Sequence, residues 1–196
     1  WDDFYSACKQ VTKDTDGDGV VDQFGQFGYT WENALSSNGE KLYDEKSKTC
    51  QLEDANVYSA IEFVRKLNQL NAGQSVTSEL FDKGKVAFCP MKFSEYRTYK
   101  PYPWSVKKYS NFEWDCLPMP AGPSGTNVSQ MDTLLWGMSK NSSKKNLAWK
   151  FLKLLCYDEK TQESLFKYSQ GASVLKNVST SKNVTKYIQE DAPQDS

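Results

Sequence analysis

Residues 14–22 read Asp-Thr-Asp-Gly-Asp-Gly-Val-Val-Asp and place four carboxylates, Asp14, Asp16, Asp18 and Asp22, on one short stretch of chain. Acids this close repel one another unless the loop is open to water or holds a cation. With Asp14 as the first position, the acids fall at positions 1, 3, 5 and 9, Gly19 at 6 and the Val20 carbonyl at 7. That is the ligand order at the start of an EF-hand-type calcium loop. The position where such a loop carries a bidentate glutamate is Gly25, so a calcium-activated helix-loop-helix switch is not expected. Two readings remain. In one, Asp14, Asp16, Asp18, Asp22 and the Val20 carbonyl hold a structural Ca2+, with water in the remaining positions. In the other, Asp-Gly-Asp-Gly is a solvated turn whose glycines supply positive φ. Even with calcium bound, the ion locks a helix-to-strand corner and catalyses nothing.

The rest of the composition narrows the chemistry further. The chain has no histidine, which removes the commonest general base, the usual zinc ligand and every imidazole-dependent triad. Cys8, Cys50, Cys89, Cys116 and Cys156 are scattered without a C-x-x-C pair, so neither a zinc cluster nor a redox motif is present. Their odd number rules out complete internal pairing, and buried free thiols are expected. A net charge of -1 gives no global basic field for nucleic acid or an anionic membrane. No apolar run is long enough to span a bilayer. Aromatics are 14% of the residues, more than a core of this size needs, so some are expected at a surface or in a cleft.

The elements that must position these residues alternate between helix and strand. Phe4, Ala7, Cys8 and Val11 recur at helical spacing and predict a helix ending before the acidic loop. A strand is expected within Val20–Tyr29, then a polar loop around Asn38-Gly39. Asp54 or Asn56 caps a helix with an expected buried stripe of Val57, Ala60, Ile61, Val64, Leu67 and Leu70. A helical turn at Glu79–Asp82 leads through Lys83-Gly84-Lys85 into a strand at Val86–Cys89. Further strands are expected at Trp114–Leu117 and Leu134–Met138, separated by a Pro- and Gly-rich linker. Two helices follow: one capped near Ser142 and burying Leu147, Phe151, Leu152 and Leu155, the other running from Asp158 to Gly171. Trp114 and Trp149 are assigned to packing, and the stretch from Val178 is expected to be loose. The alternation argues an α/β fold.

Trp1-Asp2-Asp3-Phe4, the run Asp14–Gly25, Phe81-Asp82-Lys83-Gly84-Lys85-Val86-Ala87-Phe88 and Phe112–Pro120 stand in an order that resembles a known family. Trp136-Gly137-Met138-Ser139-Lys140, Ala148-Trp149-Lys150-Phe151-Leu152-Lys153 and Gly171–Leu175 continue the match. The family is that of family 1 extracellular solute-binding proteins, the maltose-binding-protein-like receptors of sugar ABC importers. The resemblance implies a periplasmic-binding-protein type II-like lobe, a short mixed β-sheet flanked by helices. Such receptors are about twice this length, so the chain is expected to be a piece of a longer protein. Residues 1–120 then correspond to the second lobe, 121–177 to a crossing segment with helices returning toward the first lobe, and 178–196 to a loose tail.

What the resemblance implies for function is binding without catalysis. Partners are a sugar or oligosaccharide and the membrane subunits of an ABC permease, with no nucleic acid and no insertion of this segment into a membrane. The location is extracytoplasmic, as a cell-surface lipoprotein or in the periplasm. No cofactor is required beyond a structural Ca2+ of the kind some alginate-binding relatives hold in a similar loop, where Gln23 here replaces an acid. Sugars need an aromatic platform plus side chains that bond hydroxyls in pairs. By the resemblance, the cleft-facing segments supply Trp31 and Tyr96 as stacking surfaces, Glu95, Arg97 and Asp132 as hydroxyl partners, and Thr133 beside them.

Other classes fit less well. A glycan-processing enzyme needs a carboxylate pair at fixed separation, which neighbours on one loop do not provide. A calcium-dependent glycan-binding or scaffold module of dockerin type needs a second acidic loop, and the chain has none. Asn-x-Ser/Thr sequons at Asn127, Asn141, Asn177 and Asn183 are short enough to arise by chance in a chain rich in Ser and Asn.

Overall fold

The computed structural model describes residues 1–94, 116–125, 127–169 and 171–191. The chain divides into two compact units: unit 1 comprises residues 1–90 and 109–131, and unit 2 comprises residues 91–108 and 132–196.

Unit 1 opens with α1 (Asp2–Val11), whose acidic first turn complements the helix dipole and whose Cys8 is wholly buried. The acidic loop leads to β1 (Phe24–Gln26), buried along its whole length. This strand is much shorter than the Val20–Tyr29 span that the sequence suggests. Next comes α2 (Trp31–Ser37), held at its start by a reciprocal cap: Asn33 N–H donates to Thr30 Oγ1, and the Asn33 side chain accepts from Thr30 N–H. A small antiparallel hairpin of β2 (Tyr43–Asp44) and β3 (Thr49–Cys50) precedes α3 (Ala55–Gln69). Asp54 caps α3 by accepting from Asn56 N–H at 2.7 Å. The short α4 (Ser78–Asp82) then feeds β4 (Val86–Phe88).

β4 returns to lie parallel to β1, with Phe24 opposite Val86 and Gln26 opposite Phe88. Around this pair, Cys8, Tyr29, Ala34, Leu35, Val57, Ala60 and Leu67 form the buried core. Phe4 bridges it, its ring 5.1 Å from Tyr29 and 5.4 Å from Phe88. On α3, Val57, Ala60 and Leu67 are buried as expected and Val64 and Leu70 pack beside them, but Ile61 is exposed.

Unit 2 contains α5 (Lys145–Tyr157), α6 (Glu159–Ser169), α7 (Lys176–Ser179) and α8 (Lys182–Asp191). Its core is small: Phe166, Val178 and Val184, with Leu175 and Tyr187 against them. Several expectations change here. Residues 178–191, within the stretch expected to be loose, are ordered: Val178 in α7 and Val184 in α8 are drawn onto Phe166, and residues 192–196 lie outside the described residues. Residues 134–138 are not a strand; a strand needs a hydrogen-bonding neighbour, and none lies alongside among the described residues. Helix α5 buries no residue: Leu147 and Phe151 are exposed, and so is Trp149, contrary to the expectation that it packs. Leu152 and Leu155 are half-buried. The expectation of buried thiols holds for Cys8 alone among the five, since Cys50 and Cys116 are exposed and Cys89 and Cys156 are half-buried. Trp114 lies outside the described residues. None of the described helices is long and apolar enough to cross a membrane.

Candidate functional site

The acidic loop is drawn together by its own backbone. Asp14 Oδ1 accepts from the N–H groups of Asp16 (3.1 Å) and Gly17 (2.7 Å), and Asp14 Oδ2 accepts from Gly19 N–H at 2.8 Å. Asp16 Oδ1 accepts from Asp18 N–H, and Asp18 Oδ1 from Val20 N–H. Gly17 and Gly19 take φ values of 81° and 87°, the left-handed region that glycine reaches without strain. As a result, one carboxylate oxygen from each of Asp14, Asp16 and Asp18 lies within 4.8 Å of the others. The amide hydrogen bonds from Gly19 and Gly17 hold the Asp14 carboxyl below its ordinary value.

Asp22 is placed differently. Its Oδ2 accepts from Lys85 Nζ at 2.7 Å and from Thr15 Oγ1 at 2.6 Å, and its Oδ1 accepts from Thr15 N–H at 2.8 Å. The Lys85 ammonium, and after it the Thr15 hydroxyl and amide, push the Asp22 carboxyl down to about 2. The residues therefore fit a divalent cation in part. Three carboxylates converge as the calcium reading requires, while the fourth is neutralised by a lysine. The sequence reading gives Lys85 and Thr15 no role at this loop; Lys85 stands 63 positions from its partner, beyond any local spacing pattern.

The residues expected to contact sugar fall in both units. Trp31 is the first residue of α2 in unit 1, half-buried and packed against the core. Its neighbour Tyr29 is 3% exposed, so that side chain belongs to the core. In unit 2, Asp132 is exposed and pairs with Lys92 at 2.9 Å, and Thr133 is exposed. Glu95, Tyr96 and Arg97 lie outside the described residues.

No curated protein matches the chain in sequence. Among solved structures, the chain is similar to the maltose/maltodextrin-binding domain MalE from Bdellovibrio bacteriovorus bound to maltotriose, with a TM-score of 0.64 and 17% identity. The superposition covers 96% of this chain and 51% of that one, so the chain spans about half the length of that relative. This likeness establishes an α/β fold of the periplasmic-binding-protein kind, with small sheets flanked by helices. The model of the family described as bacterial extracellular solute-binding protein matches residues 1–192, and the chain belongs to that family.

Proposed function

We propose that the chain is part of an extracytoplasmic carbohydrate receptor that captures a sugar or oligosaccharide and delivers it to the permease of an ABC importer. The observation that carries this reading is the structural likeness, over 96% of the chain, to a domain whose bound ligand is maltotriose. In the whole receptor, residues 1–120 serve as the second lobe and 121–177 as the segment crossing toward the first. Trp31 and Tyr96 offer apolar faces to sugar C–H groups, and Glu95, Arg97, Asp132 and Thr133 offer hydroxyl partners. The receptor is anchored as a surface lipoprotein or free in the periplasm, and it binds without turnover.

Calorimetric titration of the receptor containing this chain against mono- and oligosaccharides, maltotriose among them, tests the reading. One saccharide class binds and is recovered intact, and Trp31→Ala weakens it about tenfold, in line with the loss of a stacking platform. The absence of binding across the panel, or the appearance of cleaved product, overturns it. The 196-residue chain alone carries part of the binding surface and binds weakly or undetectably.

The acidic loop is read as a structural calcium corner, with Asp14, Asp16 and Asp18 as ligands alongside the Val20 carbonyl, and with Asp22 joining them only on leaving Lys85. Convergence of the three carboxylates supports this. When bound, the ion stabilises the connection between α1 and β1. A calcium-specific rise in Tm over an EDTA control, lost in Asp16→Ala, is the expected result, because an ion bound only by the folded state stabilises it by mass action. An unchanged Tm reduces the loop to a turn.

A further inference from the structure

Residues 119–125 are fastened to the C-terminal end of α2 by contacts of several kinds. Gly122 N–H donates to the Ser37 carbonyl at 3.0 Å, and Ser124 N–H donates to Asn38 Oδ1 at 2.9 Å. Asn38 is only 2% exposed, so its carboxamide oxygen is satisfied by this segment rather than by water. A Cβ at Gly122 would overlap the Asn38 side chain, and one at Gly125 would lie 2.5 Å from the Ser37 carbonyl oxygen. Gly125 N–H closes back on the Gly122 carbonyl at 2.9 Å, and Met119 packs against the unit 1 core. Asn127 Nδ2 then donates to the Met119 carbonyl at 2.7 Å. Beyond this point the character of the chain changes. Residues 128–138 are exposed, carry no helix or strand and make no backbone hydrogen bond among the described residues. Unit 1 ends within that stretch, at Met131.

We propose that Asn38 is a positioning residue that clamps residues 119–125 to unit 1, so that the polypeptide first becomes free to turn at Val128. Its carboxamide oxygen accepts from Ser124 N–H, and glycine at 122 and 125 allows the approach. The clamp stands on these contacts alone. Its consequence, that closure on a ligand pivots after residue 127 rather than within the Pro-Gly linker, rests on the receptor reading above.

Peptide-resolved hydrogen exchange of the 196-residue chain, without ligand, tests the clamp apart from that reading. In the unmodified chain, 119–125 exchanges at rates comparable to α2, while 128–131 exchanges at once. Asn38→Ala speeds exchange over 119–125 about tenfold or more and leaves α3 unchanged, and Asn38→Asp, which keeps the acceptor oxygen, restores protection. Gly122→Ala also speeds exchange there, and by less when combined with Asn38→Ala, because most of the side chain it overlaps is gone. Fast exchange of 119–125 in the unmodified chain overturns the proposal. So does an Asn38→Ala effect spread equally over α3, which would mark a general loss of stability.

Discussion

Gly25 lies so close to α1 that a Cβ built on it would come within 2.5 Å of both Cα and Cβ of Cys8. The glycine that takes the place of the closing glutamate of an EF-hand-type loop is thus a packing requirement. The strand β1 runs against the helix backbone, and no side chain fits between them.

Gly25→Ala is therefore expected to be among the most destabilising single-methyl changes in unit 1. The atoms it meets are the Cα, Cβ and carbonyl oxygen of Cys8, fixed by the helix backbone and unable to swing away, so the cost is about 1–3 kcal/mol or more. Chemical denaturation checks this through the midpoint. A midpoint equal to that of the unmodified chain would remove the α1–β1 contact from the account.

Leu67, at 1% exposure, sits on the α3 face that packs into the unit 1 core. Leu67→Ala is expected to cost about 2–5 kcal/mol, the range for emptying a leucine site that only partly collapses. Ile61→Ala, six residues earlier on the same helix but exposed, costs well under 1 kcal/mol. Equal losses for the two would contradict the core assigned here.

Acid titration reads the Lys85–Asp22 pair. With its pKa near 2 in the folded chain, Asp22 stays ionised between about pH 4 and pH 2, while the unfolded chain takes up the proton over that window. The stability contributed by the pair is present above about pH 4 and falls as the pH drops toward 2. Asp22→Asn and Lys85→Met each flatten that part of the profile, measured by tryptophan fluorescence at a series of pH values. A slope unchanged in both variants would sink the assignment.

Thiol chemistry separates the cysteines. Burial pushes the Cys8 thiol up to about 12, so it stays protonated and shielded at pH 8. Cys50 and Cys116 are exposed and react readily with an aromatic disulfide reagent, whereas Cys8 reacts only after unfolding. The same group makes the folded state lose stability as pH rises from about 9 toward 12, because the unfolded chain ionises first. Rapid labelling of Cys8 in the native chain, located by peptide mapping, would be inconsistent with its place in the core.

How much of this was legible in the residues depends on how local each cause was. The α3 stripe and its Asp54 cap and the turn at α4 follow from spacing within a dozen residues, and they appear nearly as expected. Features set by distant partners were not legible. Lys85 takes Asp22 from across the chain, and Tyr29 is claimed by Phe4 and Phe63 for the core. Helix α5 has an amphipathic pattern, yet pattern alone does not supply the surface that would cover Leu147, Phe151 and Leu154. The opposite error occurred at Val178 and Val184, where a polar composition concealed two valines that seal the Phe166 cluster.

The parallel pairing of Phe24 with Val86 also has a bearing on how the protein is made. Parallel neighbours need a long excursion between them, and here that excursion comprises α2, the hairpin, α3 and α4. As the chain emerges from the ribosome, β1 precedes β4, its partner among the described strands, by that whole excursion, and the acidic loop lacks its lysine for just as long. The nascent segment therefore spends an interval with a buried-type strand uncovered, the condition in which a chaperone or an export factor finds something to hold.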